Sequence, residues 1–200
     1  IILYFLFGSF NTGSLVACLL FSWIVSGNFL DIVINKRPLN KIKSFLNFRL
    51  GAIFAHLGIA FLVLGIGVVS SYSSEKELLL SVGESYDLDG YVFEFENLSS
   101  ENGPNYIADV ASLKIQENAQ AISLSSEKRN YLSANQVTTE VGIVANLFKD
   151  YYVALGENIE GDTWSFRLQV KPFVRWIWFG ALLVAIGTFI SSIKLLRKET

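Results

Sequence analysis

Residues 50–74 form one uncharged segment, LGAIFAHLGIAFLVLGIGVVSSYSS. It contains no Lys, Arg, Asp or Glu, and it carries His56, the only histidine in the chain. Because about 20 apolar residues are enough for a helix to cross a bilayer, this segment predicts a transmembrane helix. An ionisable imidazole is costly inside such a helix, so His56 is the first candidate for a functional site.

The composition of the whole chain agrees with a membrane protein. Hydrophobic residues make up 52% of its 200 residues, which is high for a soluble globular domain. The chain starts at Ile1 and contains no methionine, so we expect it to be the C-terminal part of a longer protein. Its one cysteine, Cys18, cannot form an internal disulfide.

Charge and hydropathy divide the chain into alternating segments. We predict further transmembrane helices at residues 1–30, which hold no charged residue, and at residues 172–194, which begin with an aromatic belt. Residues 31–49 carry five basic residues against one acid, and the positive-inside rule places such a short loop in the cytoplasm. The tail at residues 195–200 is predicted to be cytoplasmic as well.

Residues 75–171 predict an all-β extracytoplasmic domain. They contain 16 acidic and seven basic residues, an excess that suits the outer side of the membrane. Apolar and polar residues alternate, most clearly at residues 91–96, 106–115, 121–124 and 164–170. Turn-forming residues separate these runs at 81–83, 89–90, 102–105, 117–118 and 160–162. We expect seven or eight short strands in a small sandwich or barrel.

Small residues give the central helix two distinct faces. Glycines recur every seven residues, at Gly51, Gly58 and Gly65, and predict a stripe that packs closely against another helix. At about 100° per residue, three further small residues lie on the same side as His56: Ala52, Ala60 and Gly67. The side of the helix around His56 therefore has room for a large flat group or for a neighbouring helix.

Three roles are open for His56 on this basis: an axial ligand of haem iron, a proton relay, or a structural hydrogen bond to another helix. The chain has no nucleotide-binding glycine loop, no Ser/His/Asp set, no CxxC and no HExxH, so we predict no catalytic residue in it. The cluster at residues 127–131, EKRNY, is a weaker candidate for binding an anionic group, since surface charges usually serve solvation.

Six blocks of sequence together resemble one protein family. They are AHLGIAFLVLGIG at 55–67, GPNY at 103–106, EKRNY at 127–131, TTE at 138–140, DYYVALGE at 150–157 and KPFVRWIW at 171–178. In order and spacing they resemble the C-terminal part of the CcmF/NrfE family, the haem lyase subunits of cytochrome c-type biogenesis. The resemblance covers residues 50–200, whereas residues 1–49 agree only in hydropathy and place.

The resemblance implies a haem lyase at the periplasmic face of the bacterial inner membrane. Such a protein takes haem from the chaperone CcmE and, with a CcmH-type subunit, attaches it to apocytochrome c. It further implies that His56 is one axial ligand of a membrane haem b whose second ligand lies outside this chain.

The alternative is a membrane-anchored scaffold or sensor whose β domain binds a partner and whose His56 is structural. In either case we expect the lipid bilayer as a partner and no nucleic acid. We do not expect this chain to be catalytic by itself.

Overall fold

The computed structural model describes residues 8–9, 11–34, 48–117, 120–133 and 136–198. They form two compact units, here called the helical unit (Ile1–Tyr72 with Pro172–Thr200) and the β unit (Ser73–Lys171). Most of the predicted basic loop at 31–49 lies outside the described residues, as does the start of the predicted first span.

Three helices make up the described part of the helical unit: α1 (Thr12–Ile34), α2 (Phe48–Tyr72) and α3 (Val174–Lys198). Each is long and apolar enough to cross a membrane, over Thr12–Asp31, Leu50–Tyr72 and Val174–Ile193 respectively. The chain thus has three apolar helices of membrane-spanning length among its described residues, as the fold prediction requires.

The glycine stripe of α2 packs directly against the backbone of α3. A Cβ atom on Gly58 would lie 2.6 Å from the Gly180 carbonyl oxygen and 2.7 Å from the Val184 nitrogen. The other two contacts of the stripe are Gly51 with Gly187 and Gly65 with Ile177. Since the helices are too close for any side chain at these positions, the predicted close-packing stripe is confirmed.

The β unit is a sandwich of two sheets. One sheet has the strand order β1-β9-β8-β7, with β1 at Ser74–Ser81, β9 at Thr163–Pro172, β8 at Lys149–Glu160 and β7 at Gly142–Ala145. The other has the order β2-β3-β4-β5-β6, with β2 at Ser85–Leu88, β3 at Tyr91–Asn102, β4 at Tyr106–Glu117, β5 at Gln120–Tyr131 and β6 at Gln136–Glu140. The predicted all-β domain is confirmed, and its architecture is the sandwich.

The core of the sandwich consists of the inward residues of alternating strands. Phe93 and Phe95 of β3 are fully buried, and the Phe95 ring meets that of Phe166 in β9 edge to face, with centroids 4.9 Å apart. Burial of each such side chain stabilises the fold by about 1.5–3 kcal/mol. The alternation that predicted the strands therefore also identifies the side chains that hold the two sheets together.

The described residues contain nine strands rather than seven or eight, because one run of chain changes sheets. β6 pairs with β5 as far as Glu140 opposite Glu127, and β7 pairs with β8 from Gly142 opposite Val153. At the crossing, a Cβ atom on Gly142 would collide with the Ser125 carbonyl oxygen. Strands that switch sheets through a bend form the corners of such sandwiches, and glycine permits the close approach.

Four of the five predicted turns coincide with turns of the structure. Gly83, Gly90 and Gly161 have positive φ angles of 89°, 89° and 54°, which glycine adopts without strain. The Gly103 amide donates to the Tyr106 carbonyl oxygen at 2.9 Å and closes the fourth turn. The fifth prediction, at 117–118, lies partly outside the described residues.

Candidate functional site

His56 lies on α2 with its side chain exposed. None of the described residues hydrogen-bonds to its imidazole. In a largely apolar helix, an imidazole is a group that can bind a ligand through a ring nitrogen.

A cavity of about 380 Å³ opens beside His56 between α1 and α2. From α2 it is lined by Ala52, Ile53 and His56, and from α1 by Trp23, Ile24, Gly27, Asn28 and Asp31. The lining residues of α1 recur at intervals of three and four and therefore share one face of that helix. A Cβ atom on Gly27 would meet nothing within 4 Å, so space is open there.

The side of α2 that carries His56 has different neighbours at its two ends. A Cβ atom on Gly67 would collide with Ala17 of α1, and Ala60 is completely buried. Ala52, about 22 Å from Gly67 along the helix axis at 1.5 Å per residue, borders the cavity instead. Both expectations for this side of the helix are met, a neighbouring helix at one end and open space at the other.

The residues around the cavity fit one axial side of a haem. A neutral imidazole is a good ligand for haem iron, and Trp23, Ile24 and Ile53 supply apolar walls. The Asn28 side-chain amide donates to the Ile24 carbonyl oxygen at 2.9 Å, within its own helix. No three His, Cys, Asp or Glu side chains among the described residues converge as a metal-ion site, so His56 would be a single protein ligand.

The blocks GPNY, EKRNY and TTE come together on the five-stranded sheet. Arg129 pairs with Glu127 at 2.9 Å and with Glu140 at 3.3 Å, and its guanidinium lies 4.8 Å from the centroid of the Tyr106 ring. The Tyr106 and Tyr131 rings are in contact, with centroids 5.4 Å apart. Two carboxylates and a ring already engage Arg129, and this arrangement does not favour the anion-binding role considered for the cluster.

The block DYYVALGE joins this region through the backbone of β8. Lys128 donates to the Gly156 carbonyl oxygen at 2.9 Å and pairs with Glu157 at 2.5 Å. Thr139 donates to the Leu155 carbonyl oxygen at 3.0 Å. These side chains of the second sheet satisfy carbonyl groups of β8 beyond the point where β7 stops pairing with it.

Ser126 completes this connection between the sheets. Its hydroxyl is fully buried, accepts a hydrogen bond from the Leu155 amide at 3.0 Å and donates one to the Glu140 carbonyl oxygen at 2.9 Å. Sequence reasoning missed this role for Ser126 and Lys128. One signal was available in the sequence. Every second residue of β5 from Leu124 onward points inward, and the next two of these positions, Ser126 and Lys128, are polar.

A second polar cluster, also missed from the sequence, surrounds Glu117. The Tyr151 hydroxyl donates to its carboxylate at 2.6 Å, and Lys149 lies 2.5 Å from it. Burial raises the pKa of Tyr151, and the hydrogen bond to Glu117 raises it further. Burial alone would raise the pKa of Glu117, but the hydrogen bonds from Lys149 and Tyr151 outweigh that effect and lower it. Burial opposes the charge of Lys149, yet Glu117 raises the pKa of that ammonium overall.

Comparison with known proteins identifies the family. A family model described as the CcmF C-terminal beta-sandwich matches residues 71–172. The chain belongs to the CcmF family. The cytochrome c-type biogenesis protein CcmF of Pseudomonas aeruginosa is 40% identical over 191 residues, which cover 94% of this chain and 29% of that protein. CcmF of Haemophilus influenzae is 44% identical over 138 residues, 68% of this chain and 21% of that protein.

A solved structure agrees with this family in fold. The protein named cytochrome c heme lyase CcmF superimposes with a TM-score of 0.73 at 22% sequence identity, over 92% of this chain and 31% of that one. This chain therefore spans less than a third of the length of the CcmF proteins it matches. The resemblance predicted from the six sequence blocks is confirmed.

Proposed function

We propose that this chain is part of a haem lyase subunit for c-type cytochrome maturation, and that His56 is one axial ligand of a haem b within the membrane. Its curated relatives are named cytochrome c-type biogenesis proteins, and these names support a role of this chain in the maturation of c-type cytochromes. The observation that carries the ligand assignment is the exposed His56 side chain, which lines a cavity beside Ala52 and Gly27.

Five of the eight residues that line the cavity have a distinct part in this proposal. His56 provides a nitrogen lone pair for the iron, while Ala52 and Gly27 leave room for a flat group. Trp23 and Ile53 would give a bound haem apolar neighbours, and the polarity around a haem is one of the factors that tune its potential. Haem bound there would supply one-electron redox chemistry, and its second protein ligand would come from outside this chain.

We further propose the orientation and the partners of the whole protein. It lies in the bacterial inner membrane with residues 75–171 in the periplasm and the C-terminus in the cytoplasm. The acidic excess of 16 to seven in that segment, against the basic residues of 31–49, supports this orientation. The whole protein takes haem from CcmE and transfers it, with a CcmH-type subunit, to apocytochrome c.

The visible spectrum of the full-length protein in detergent tests the ligand assignment. We expect a low-spin b-type spectrum that is lost in His56→Ala. Cys18→Ala is the matched control. The chain has one histidine and one cysteine, so Cys18 is the other side chain of these two types that could bind iron, and it lies on α1. An unchanged spectrum in His56→Ala would assign the ligand elsewhere, and no haem in the parent protein would refute the membrane haem.

The scaffold or sensor alternative makes opposite predictions. There, His56 would be structural, and a structural imidazole in a membrane needs a hydrogen-bond partner. None of the described residues hydrogen-bonds to the imidazole, and the alternative therefore needs a partner outside them. The scaffold predicts no chromophore and partner binding through the β unit, whereas a proton relay at His56 predicts pH-dependent flux without haem.

A further inference from the structure

The helices α1 and α2 meet along one continuous seam. Near one end of it, the Ser14 and Tyr72 hydroxyls are hydrogen-bonded at 3.0 Å. Further along, the Phe21 and Phe61 rings are in contact, with centroids 5.5 Å apart. Residue numbers rise along α1 as they fall along α2, so the two helices are antiparallel and each contact fixes which residues lie at the same level.

This register places Asn28 opposite His56. A Cβ atom on Gly67 would collide with Ala17, so these two residues lie at one level on facing sides of the helices. Asn28 follows Ala17 by eleven residues, and His56 precedes Gly67 by the same number. Eleven residues are about three turns and about 17 Å, so Asn28 and His56 again share a face and a level. Both line the cavity between the helices.

The hydrogen bond that Asn28 already makes determines which end of its amide remains. Its Nδ2 donates to the Ile24 carbonyl oxygen at 2.9 Å. The acceptor Oδ1 is the other branch of the amide and is therefore turned away from that carbonyl. The Asn28 residue is only 9% exposed, and a polar oxygen in an apolar helix needs a donor. Asn28 thus offers a hydrogen-bond acceptor at the level of His56.

A histidine that binds iron through one ring nitrogen has a hydrogen to place on the other. Such ligands almost always donate it to an oxygen, which fixes the ring and makes the imidazole a stronger donor to the metal. Two side chains that line the cavity carry oxygen acceptors, Asn28 and Asp31. Asp31 lies about 4.5 Å further along the axis of α1 and takes part in another interaction. Asn28 is therefore the better placed of the two.

We propose that Asn28 is a positioning residue for His56, with its Oδ1 accepting the N–H of the imidazole nitrogen that does not bind iron. This role rests on the proposed haem ligation by His56. The imidazole makes no hydrogen bond to the described residues in the unfilled cavity, so its exposed ring must turn toward Asn28 when the site is filled. The acceptor strengthens electron donation by the imidazole, which favours ferric iron and lowers the reduction potential.

The reduction potential of the haem in the full-length protein in detergent tests this role. Asn28→Leu removes the acceptor with little change in side-chain size. We expect a higher midpoint potential and shifted EPR g values of the low-spin ferric haem. Asn28→Asp places a stronger acceptor at the same position and should give a potential below that of the parent protein.

Ser14→Ala is the matched control. Ser14 is also a buried polar residue of α1 that faces α2, but it lies 14 residues from Asn28, or about 21 Å along the helix. This variant should keep the potential and the g values of the parent protein. A shift as large as that of Asn28→Leu would mean that the potential reports helix packing, and the positioning role would be refuted.

The outcomes separate this role from the ligand assignment. If His56→Ala keeps the spectrum of the parent protein, the ligand assignment itself fails. If His56 is the ligand but Asn28→Leu leaves the potential and g values unchanged, the positioning role alone is refuted. Where Asn28→Leu retains no haem, Asn28→Asp decides: haem with a lowered potential supports the role, whereas loss of haem from both variants would assign Asn28 to folding and refute it.

Discussion

The two units of this chain bury different kinds of side chain. The large, fully buried residues of the β unit include Tyr151, Phe93 and Phe166, whereas those among the described residues of the helical unit are Val68 and Ser14. The contrast follows from the surroundings of each unit. In water, burial of large apolar groups drives folding, but lipid tails are as apolar as leucine, so helices associate through close packing of small residues.

Glycine shows the same contrast in another way. At Gly142 it allows one strand to pass close to the Ser125 backbone, a single point in a core otherwise filled by large side chains. At Gly51, Gly58 and Gly65 it forms a repeated contact along one helix. Replacement of Gly142 should therefore disturb the β unit locally, where the chain crosses from one sheet to the other. Replacement of a glycine of the helical stripe should disturb the contact between the two helices along their length.

The largest effect is expected for Gly142→Val. The new side chain would occupy the position of the Ser125 carbonyl oxygen, and overpacking against backbone costs about 3 kcal/mol. Segment-resolved hydrogen exchange should show loss of protection in β5 and β8. Ile143→Ala is the control, because the neighbouring Ile143 side chain is exposed and its removal should cost less than about 0.5 kcal/mol. Equal protection in both variants would contradict the sheet crossing.

Part of this organisation could be predicted from the sequence, because some signals are local. The lengths of the apolar segments and the alternation in 75–171 depend only on neighbouring residues, and they predicted the helices and an all-β domain, with sandwich and barrel both left open. The sheet crossing was missed because β6 and β7 span only five and four residues, too few for a clear alternation. In the sequence, residues 136–145 therefore look like a single strand with a glycine in the middle.

The next largest effect is expected for Gly58→Val in the helical unit. Its side chain would meet the Gly180 carbonyl oxygen and the Val184 nitrogen, so α2 and α3 would have to separate. We expect a loss of about 2–3 kcal/mol, seen as a lower unfolding temperature in detergent and faster exchange in α3. Ile59→Ala, at an exposed neighbouring position, should change little. Similar unfolding temperatures for both variants would show that the glycine stripe does not hold the helices.

The candidate site shows where sequence reasoning stops. His56 was found because a lone histidine in an apolar helix is unusual, which is a property of one segment. The cavity also depends on Trp23, Gly27 and Asp31 of α1, and nothing in α1 alone indicates that they face His56. That pairing is set by the rotation of two helices about their axes, which depends on contacts such as Gly67 with Ala17.

A smaller effect is expected for Lys128→Met, which tests the polar contact between the sheets. Its ammonium is nearly buried and donates to the Gly156 carbonyl oxygen, so its removal should cost about 1–2 kcal/mol. Lys114→Met is the matched control, since Lys114 pairs with Glu96 at 3.8 Å on a partly exposed face. Denaturant unfolding of both variants makes the comparison. If the two variants lose the same free energy of unfolding, the hydrogen bond from Lys128 to the Gly156 carbonyl oxygen does not contribute to stability.

The smallest effect is expected at Glu117 and appears only as a change with pH. Because folding lowers the pKa of Glu117, its contribution to stability is complete above the ordinary glutamate pKa and is lost as the pH falls through the folded value. Folding raises the pKa values of Tyr151 and Lys149, so their contributions are complete below about pH 10 and are lost as the pH rises further.

Glu117→Gln should therefore flatten the acid side of the stability profile, and Tyr151→Phe the alkaline side. Unfolding temperatures measured between pH 3 and 11 test both limbs, with Glu94→Gln on a solvated strand face as the control. The change is small because the Glu117 and Lys149 side chains are each about a quarter exposed, and water screens their attraction. A profile unchanged by Glu117→Gln would mean that the buried Tyr151 hydroxyl is held by packing and gains nothing from the carboxylate.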